Sequence, residues 1–253
     1  TETTEQLMAL ISQMMMEGVS LGELWGSYIS ADMMSSKENL LELSQGGYSI
    51  NRDYYVKDDE ANSKILAAYR QHIVNMFSLT GETEDEAQRK MENIMQLETR
   101  MAKAGKSNVE LRDPASNYHK MAFADFVAEY SGFDWKSYFD IQGITDIDSL
   151  SVGQPEALSE AMAVLKDTPV SVLKDWFQWQ ILSSAGSLLG DEVYAETFDF
   201  SGRVMTGAQQ PHPRWKRSVN AVNSILGEAV GQLYVEKYFP PANKERMMEM
   251  VRN

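Results

Sequence analysis

The chain has 253 residues, 43% hydrophobic and 24% charged, with 37 acids against 23 bases and a formal net charge of −14. That composition is ordinary for a globular protein with a sizeable core, and its charge argues against general nucleic-acid binding, because a phosphate backbone would repel it. It has no cysteine, which excludes disulfides, thiol catalysis, cysteine zinc ribbons and iron–sulfur clusters.

Helical periodicity dominates. Thr3 to Gln6 has capping-box spacing, and Leu7, Leu10, Ile11, Met14 and Met15 follow at helical intervals. Leu21 to Met34 reads as a second helical or mixed segment, and Gly46-Gly47 marks a turn. Ile65, Leu66, Tyr69, Ile73, Met76 and Phe77 form an apolar stripe ended by Gly81. A second capping box at Thr83–Glu86 opens a helix carrying Ala87, Met91, Ile94, Met95 and Met101, stopped at Gly105. Asp113-Pro114 starts a turn and a helix through Phe123, Phe126, Val127 and Tyr130. Asp134 caps a short helix holding Trp135, Tyr138 and Phe139.

Ser149 to Gly153 is the one strand-like piece. Thr168-Pro169 signals a helix start, with Val172, Leu173, Trp176, Phe177, Gln180 and Ile181 on its apolar side. A loop rich in Gly and Pro runs from Ser201 to Pro213. A helix then extends from Arg214 to Tyr238, stopped by Pro240-Pro241, before a last short one. The expectation is a single all-α domain over residues 1–253 with at most one short β-hairpin. Trp176, Phe177 and Trp215 are expected in the core.

Chemical motifs are scarce. His72, His119 and His212 are too far apart for two to share a helical turn, so no local zinc pair exists. No phosphate-binding glycine loop and no nucleophile elbow occurs. Acidic clusters such as Glu82–Glu86 suit a helix amino terminus without a catalytic role. Gly227 and Gly231, four apart on a helix, suggest close helix–helix packing. Trp176 to Gly190 is the longest uncharged run, too short and too polar to span a bilayer. The opening residues, polar and acidic, do not read as a secretion signal.

Three segments carry a resemblance: GGYSINRDYY (46–55), ELRDPASNYHKM (110–121) and PRWKRSVNAVNSILGEAVGQLYVEKYFPP (213–241). They resemble, in order and separation, segments of the neprilysin-type zinc metallopeptidases, which include endothelin-converting enzymes and bacterial PepO-like oligopeptidases. Ser218 stands where animal members place a Cys, and Tyr118-His119 where many relatives have Tyr-Asn. The family's H-E-x-x-H, its E-x-x-x-D and its N-A-F/Y segment are absent, and the resemblance places them beyond Asn253.

The resemblance implies a helical lid domain, without catalytic, metal or cofactor residues of its own, covering the chamber of a zinc endopeptidase. Zinc would belong to the parent protein. The partners would be the catalytic domain of the same polypeptide and, for the parent, short peptides, with neither nucleic acid nor membrane contact from this segment. The parent would be exported in bacteria. Arg112, Asp113, Tyr118, Trp215, Gly227 and Gly231 match family motifs with structural roles implied, Arg112 and Asp113 each pairing elsewhere in the domain. The alternative is a stand-alone helical module that binds peptides or proteins.

Overall fold

A computed structural model describes residues 2–19 and 21–252. The chain divides into two compact units, Thr1–Gly207 and Ala208–Asn253, and the boundary falls inside the loop rich in Gly and Pro.

The first unit opens with α1 (Thr4–Met16), then the strands β1 (Trp25–Asp32) and β2 (Ser35–Gln45). The helices α2 (Asp53–Val56), α3 (Glu60–Leu79) and α4 (Glu84–Ala104) follow. After two single 3-10 turns come β3 (Lys120–Ala122), α5 (Phe123–Glu129), α6 (Trp135–Ile141) and β4 (Ser149–Val152). The unit closes with α7 (Pro155–Asp167), α8 (Val170–Ala185) and α9 (Asp191–Phe198), which runs on as a π-helical stretch, Asp199–Val204.

Four helices begin where a short polar side chain can take an orphan backbone N–H. Thr3 accepts from Gln6 N, Asp59 from Asn62 N, Thr83 from Glu86 N and Asp134 from Ser137 N. Each such cap is worth about 1 kcal/mol. Thr168 does not act this way. It terminates α7, and α8 starts at Val170 after Pro169, whose fixed φ suits that position.

The fold is mostly helical, as the periodicity indicates, but its strands exceed one short hairpin. Four strands form a sheet in the order β1-β2-β4-β3. β1 and β2 are an antiparallel hairpin with Trp25 opposite Gln45 and Tyr28 opposite Glu42. β2 runs parallel to β4, placing Leu41 beside Leu150 and Leu43 beside Val152, and β3 closes the other edge antiparallel. The segment 21–34, expected as helical or mixed, is therefore strand over Trp25–Asp32 and has no helix. In β2 the pleat sends Leu41 and Leu43 into the core and Glu42 and Ser44 to the other face.

The core lies where α4 packs between α3, α7 and α8. Ile73, Met76, Phe77, Ile94, Met101, Val164, Leu173 and Trp176 are buried there. An aromatic part of the same core joins the sheet to α5 and α6. Trp135 lies 4.8 Å from both Trp25 and Phe126, and its indole N–H donates to Tyr130 O at 2.9 Å. Five methionines, Met8, Met76, Met91, Met95 and Met101, are buried. Unbranched thioethers fill irregular gaps of this kind.

The second unit consists of α10 (Arg214–Tyr238) and α11 (Pro241–Arg252). α10 is kinked at Leu226, where φ is −118° and ψ 26°. Neither helix contains a buried residue among those described.

Candidate functional site

The most elaborate polar arrangement centres on Glu98, a charged residue on the buried face of α4 with 0% exposure. Its Oε1 accepts from Ser49 Oγ at 2.5 Å and Trp176 Nε1 at 3.2 Å. Its Oε2 accepts from Tyr55 OH at 2.7 Å and Tyr69 OH at 2.9 Å. Behind them Trp179 Nε1 donates to Tyr69 OH at 2.8 Å, and Gln180 Nε2 donates to Ser49 Oγ at 2.8 Å. Indole N–H groups only donate, so the chain of bonds is oriented toward the carboxylate. Burial pushes the Glu98 carboxyl up, and the four donors pull it back only in part.

This hub explains the first recognisable segment, 46–55, because Ser49 and Tyr55 come from it. Gly47 turns the chain toward Glu98 with φ +82°, and a Cβ there would lie 2.7 Å from Met101 Cγ. Only glycine meets both conditions. Arg52 Nε closes the segment onto Gly105 O at 2.8 Å. With four donors on two oxygens and no exposure, Glu98 is a structural clamp on α2, α3, α4 and α8. It has no room for a substrate.

The second segment, 110–121, is anchored on Asp32 at the hairpin end. Tyr118 OH donates to Asp32 Oδ1 at 2.8 Å, and Lys120 Nζ lies 2.7 Å from Oδ2. The Lys120 bond, followed by the Met34 backbone N–H and Tyr118, holds the Asp32 carboxyl down at about 2. The stability this lends is present above the unfolded value of about 3.9 and is lost as pH falls through about 2. Asp32→Asn should therefore flatten the acid limb of the stability–pH profile, measured by denaturant unfolding across that range.

Tyr118 thus has a structural partner, but Arg112 and Asp113 depart from expectation. Among the described residues neither forms an ion pair. Asp113 Oδ1 accepts the backbone N–H of Ala115 at 3.1 Å, and Asp113 O accepts from Asn117 Nδ2 at 2.7 Å. A turn-forming aspartate satisfies its oxygens locally and needs no cation.

Two of the three histidines are similarly committed, while His212 is exposed. His72 Nδ1 lies 2.8 Å from Glu196 Oε1, with its ring stacked 4.8 Å from Phe200. His119 Nδ1 lies 2.8 Å from Val152 O. Among the described residues no three His, Asp or Glu side chains converge as a metal site. These residues do not fit a zinc ion.

The sequence profile described as peptidase family M13 matches residues 1–253. The chain belongs to peptidase family M13. Endothelin-converting enzyme 1 of Mus musculus is 26% identical over 231 residues, covering 88% of this M13 chain and 30% of that protein. Neprilysin-2 of Drosophila melanogaster is 26% identical over 252 residues, covering 92% and 32%. The M13 chain therefore spans about a third of the curated relatives it matches.

Among solved structures, the zinc metalloprotease Zmp1 of Mycobacterium tuberculosis in complex with an inhibitor superposes with a TM-score of 0.91 at 32% identity. That match covers 100% of this chain and 38% of Zmp1. PepO from Lactobacillus rhamnosis HN001 gives a TM-score of 0.79 at 19% identity, covering 99% and 39%. The latter likeness speaks to the fold alone. The match is to the N-terminal domain of the neprilysin-type M13 peptidases.

The third segment behaves differently from the first two. Trp176 and Phe177 are buried, as expected, but Trp215 is 68% exposed. Its side of α10 also carries Val219 and Val222, both exposed. Amphipathic spacing sets which side of a helix is apolar without saying what covers it. A Cβ built on Gly227 or Gly231 meets nothing within 4 Å, so the described M13 chain makes no close packing there. The Glu98 clamp was missed from sequence, although its signal is plain: a carboxylate four residues after Ile94 and three before Met101, on an apolar stripe.

Proposed function

We propose that this chain is the non-catalytic helical lid of a longer zinc metalloendopeptidase, forming the chamber wall opposite the catalytic domain of the same polypeptide and limiting substrates to short peptides. The observation that carries this reading is the coverage: the chain aligns end to end with Zmp1, named as a zinc metalloprotease, while occupying 38% of it. The rest of such a protein would hold the zinc, and the chemistry would be metal-assisted peptide hydrolysis.

The internal geometry supports a wall rather than a catalyst, since its buried carboxylate, His72 and His119 are already bonded. Zmp1 is described in open and partially open states, which supports a lid that moves relative to its catalytic partner. The exposed apolar side of α10 offers a surface for that partner. Among the described residues no helix is long and apolar enough to cross a membrane, and we place the parent outside the bacterial cytoplasm.

The isolated chain, assayed with a short fluorogenic peptide with and without added zinc, is expected to show no cleavage. Chelator-sensitive cleavage that follows the protein through purification would overturn the non-catalytic reading.

A further inference from the structure

The face of the sheet opposite the helical core carries a cleft of about 510 Å³, lined among others by Tyr28, Glu42, Gln45, Tyr48, Asn117 and Tyr118. It is built entirely by residues 28–154, and its Tyr48 ring lies 6.2 Å from Tyr55 of the clamp described above.

The pleat that buries Leu41 and Leu43 turns Glu42 into this cleft, directly opposite Tyr28 on β1. Tyr28 OH donates to Glu42 Oε2 at 3.1 Å, and Ser30 Oγ donates to Oε1. Two hydroxyls occupy only part of what a carboxylate accepts, since its two oxygens offer about four lone-pair positions.

The carboxylate has no cationic partner among the described residues. The cations nearby are engaged elsewhere: Lys120 with Asp32 and Glu38, Lys106 with Ser116 O and Asn117 Oδ1, and Arg52, beside Tyr48, with Gly105 O and Asp53. The remaining walls suit a long cationic side chain. Tyrosine rings attract a cation to their faces, and Met33, Leu111 and Pro114 line the same cleft for an aliphatic stem.

We infer that this cleft binds the basic side chain of an arginine or lysine in a peptide segment, with Glu42 as the counter-ion and the tyrosine rings around it.

The test is an amide NMR titration of the intact chain with N-acetyl-arginine amide, beside N-acetyl-citrulline amide, which has nearly the same shape and no charge. Saturable shifts are expected at Tyr28, Gln45, Asn117 and Gly153. The citrulline compound should bind at least tenfold more weakly, and added salt should weaken the arginine compound. Glu42→Gln should lose at least tenfold in arginine binding while its spectrum away from the cleft stays unchanged. Absence of saturable shifts at the cleft, equal binding of the two compounds, or full binding by a folded Glu42→Gln variant would each overturn the assignment. If that variant does not fold, the citrulline and salt comparisons on the unaltered chain decide the matter alone.

Discussion

Replacing Glu98 with Ala is expected to destabilise the first unit by about 3–5 kcal/mol, the range for breaking a buried charged arrangement by removing one partner. The loss has two sources. Ser49, Tyr55, Tyr69 and Trp176 would each lose an acceptor inside the core, and an unsatisfied buried donor costs roughly 1–3 kcal/mol before water or local shifts relieve it. A cavity would also open where α3, α4 and α8 meet.

Glu98→Gln should cost about half as much, because the amide keeps one acceptor and the hydroxyls can turn to accept from the other end. Since burial raises the Glu98 carboxyl above its unfolded value, Glu98 takes up a proton more readily in the fold than in the unfolded chain. Its contribution is fully present below the unfolded value and declines as pH rises through the folded one. Urea unfolding of the three proteins at neutral pH checks the order. A Glu98→Ala variant within about 1 kcal/mol of the parent would mean that the hub adds little.

Trp176→Ala should destabilise by a similar amount, roughly 3–5 kcal/mol, as for other large aromatic truncations in cores. The side chain is 1% exposed, meets Phe177 edge-on at 4.8 Å and donates to Glu98. Because Trp176 and Glu98 share a hydrogen bond, the double variant should lose less than the two single losses added together. Strict additivity in that cycle would show that the indole N–H bond to Glu98 carries no energy of its own.

How much of this was readable in the residues varies by element. α4 and α6 follow directly from the caps Thr83 and Asp134 and the apolar positions behind them, and α3 from its apolar stripe alone, its Asp59 cap going unread. The hairpin was hidden. β2 is mostly polar, and Leu40 beside Leu41 blurs an alternation that only Leu41, Glu42 and Leu43 express. β2 is held along its length by β1 and, at Leu41, Glu42 and Leu43, by β4, a partner more than a hundred residues away that local pattern does not contain.

α7 went unread despite Pro155 at its first position and Ala157, Leu158, Ala161, Val164 and Leu165 on one face. α9 buries no residue of its own and so gives a weak periodic signal. Trp215 shows a further limit. Its helix is where the spacing puts it, but an apolar side reads the same whether its cover lies in this chain or elsewhere. Within the candidate site, the bond from Tyr118 to Asp32 joins residues 86 positions apart, a pairing that local pattern does not contain. Asp113 was misread because a carboxylate that caps its own turn looks, in sequence, like one awaiting a cation.

The lid reading is tested most directly on the full-length parent polypeptide, by cleavage rates over substrates graded from short peptides to a folded protein. The intact parent and a version lacking Thr1–Asn253 would be compared at equal zinc content. The intact protein should cleave the short peptides and spare the folded protein. Removal of the lid should relax that size limit or abolish productive peptide binding while zinc remains bound. An unchanged size limit together with unchanged rates would contradict the account.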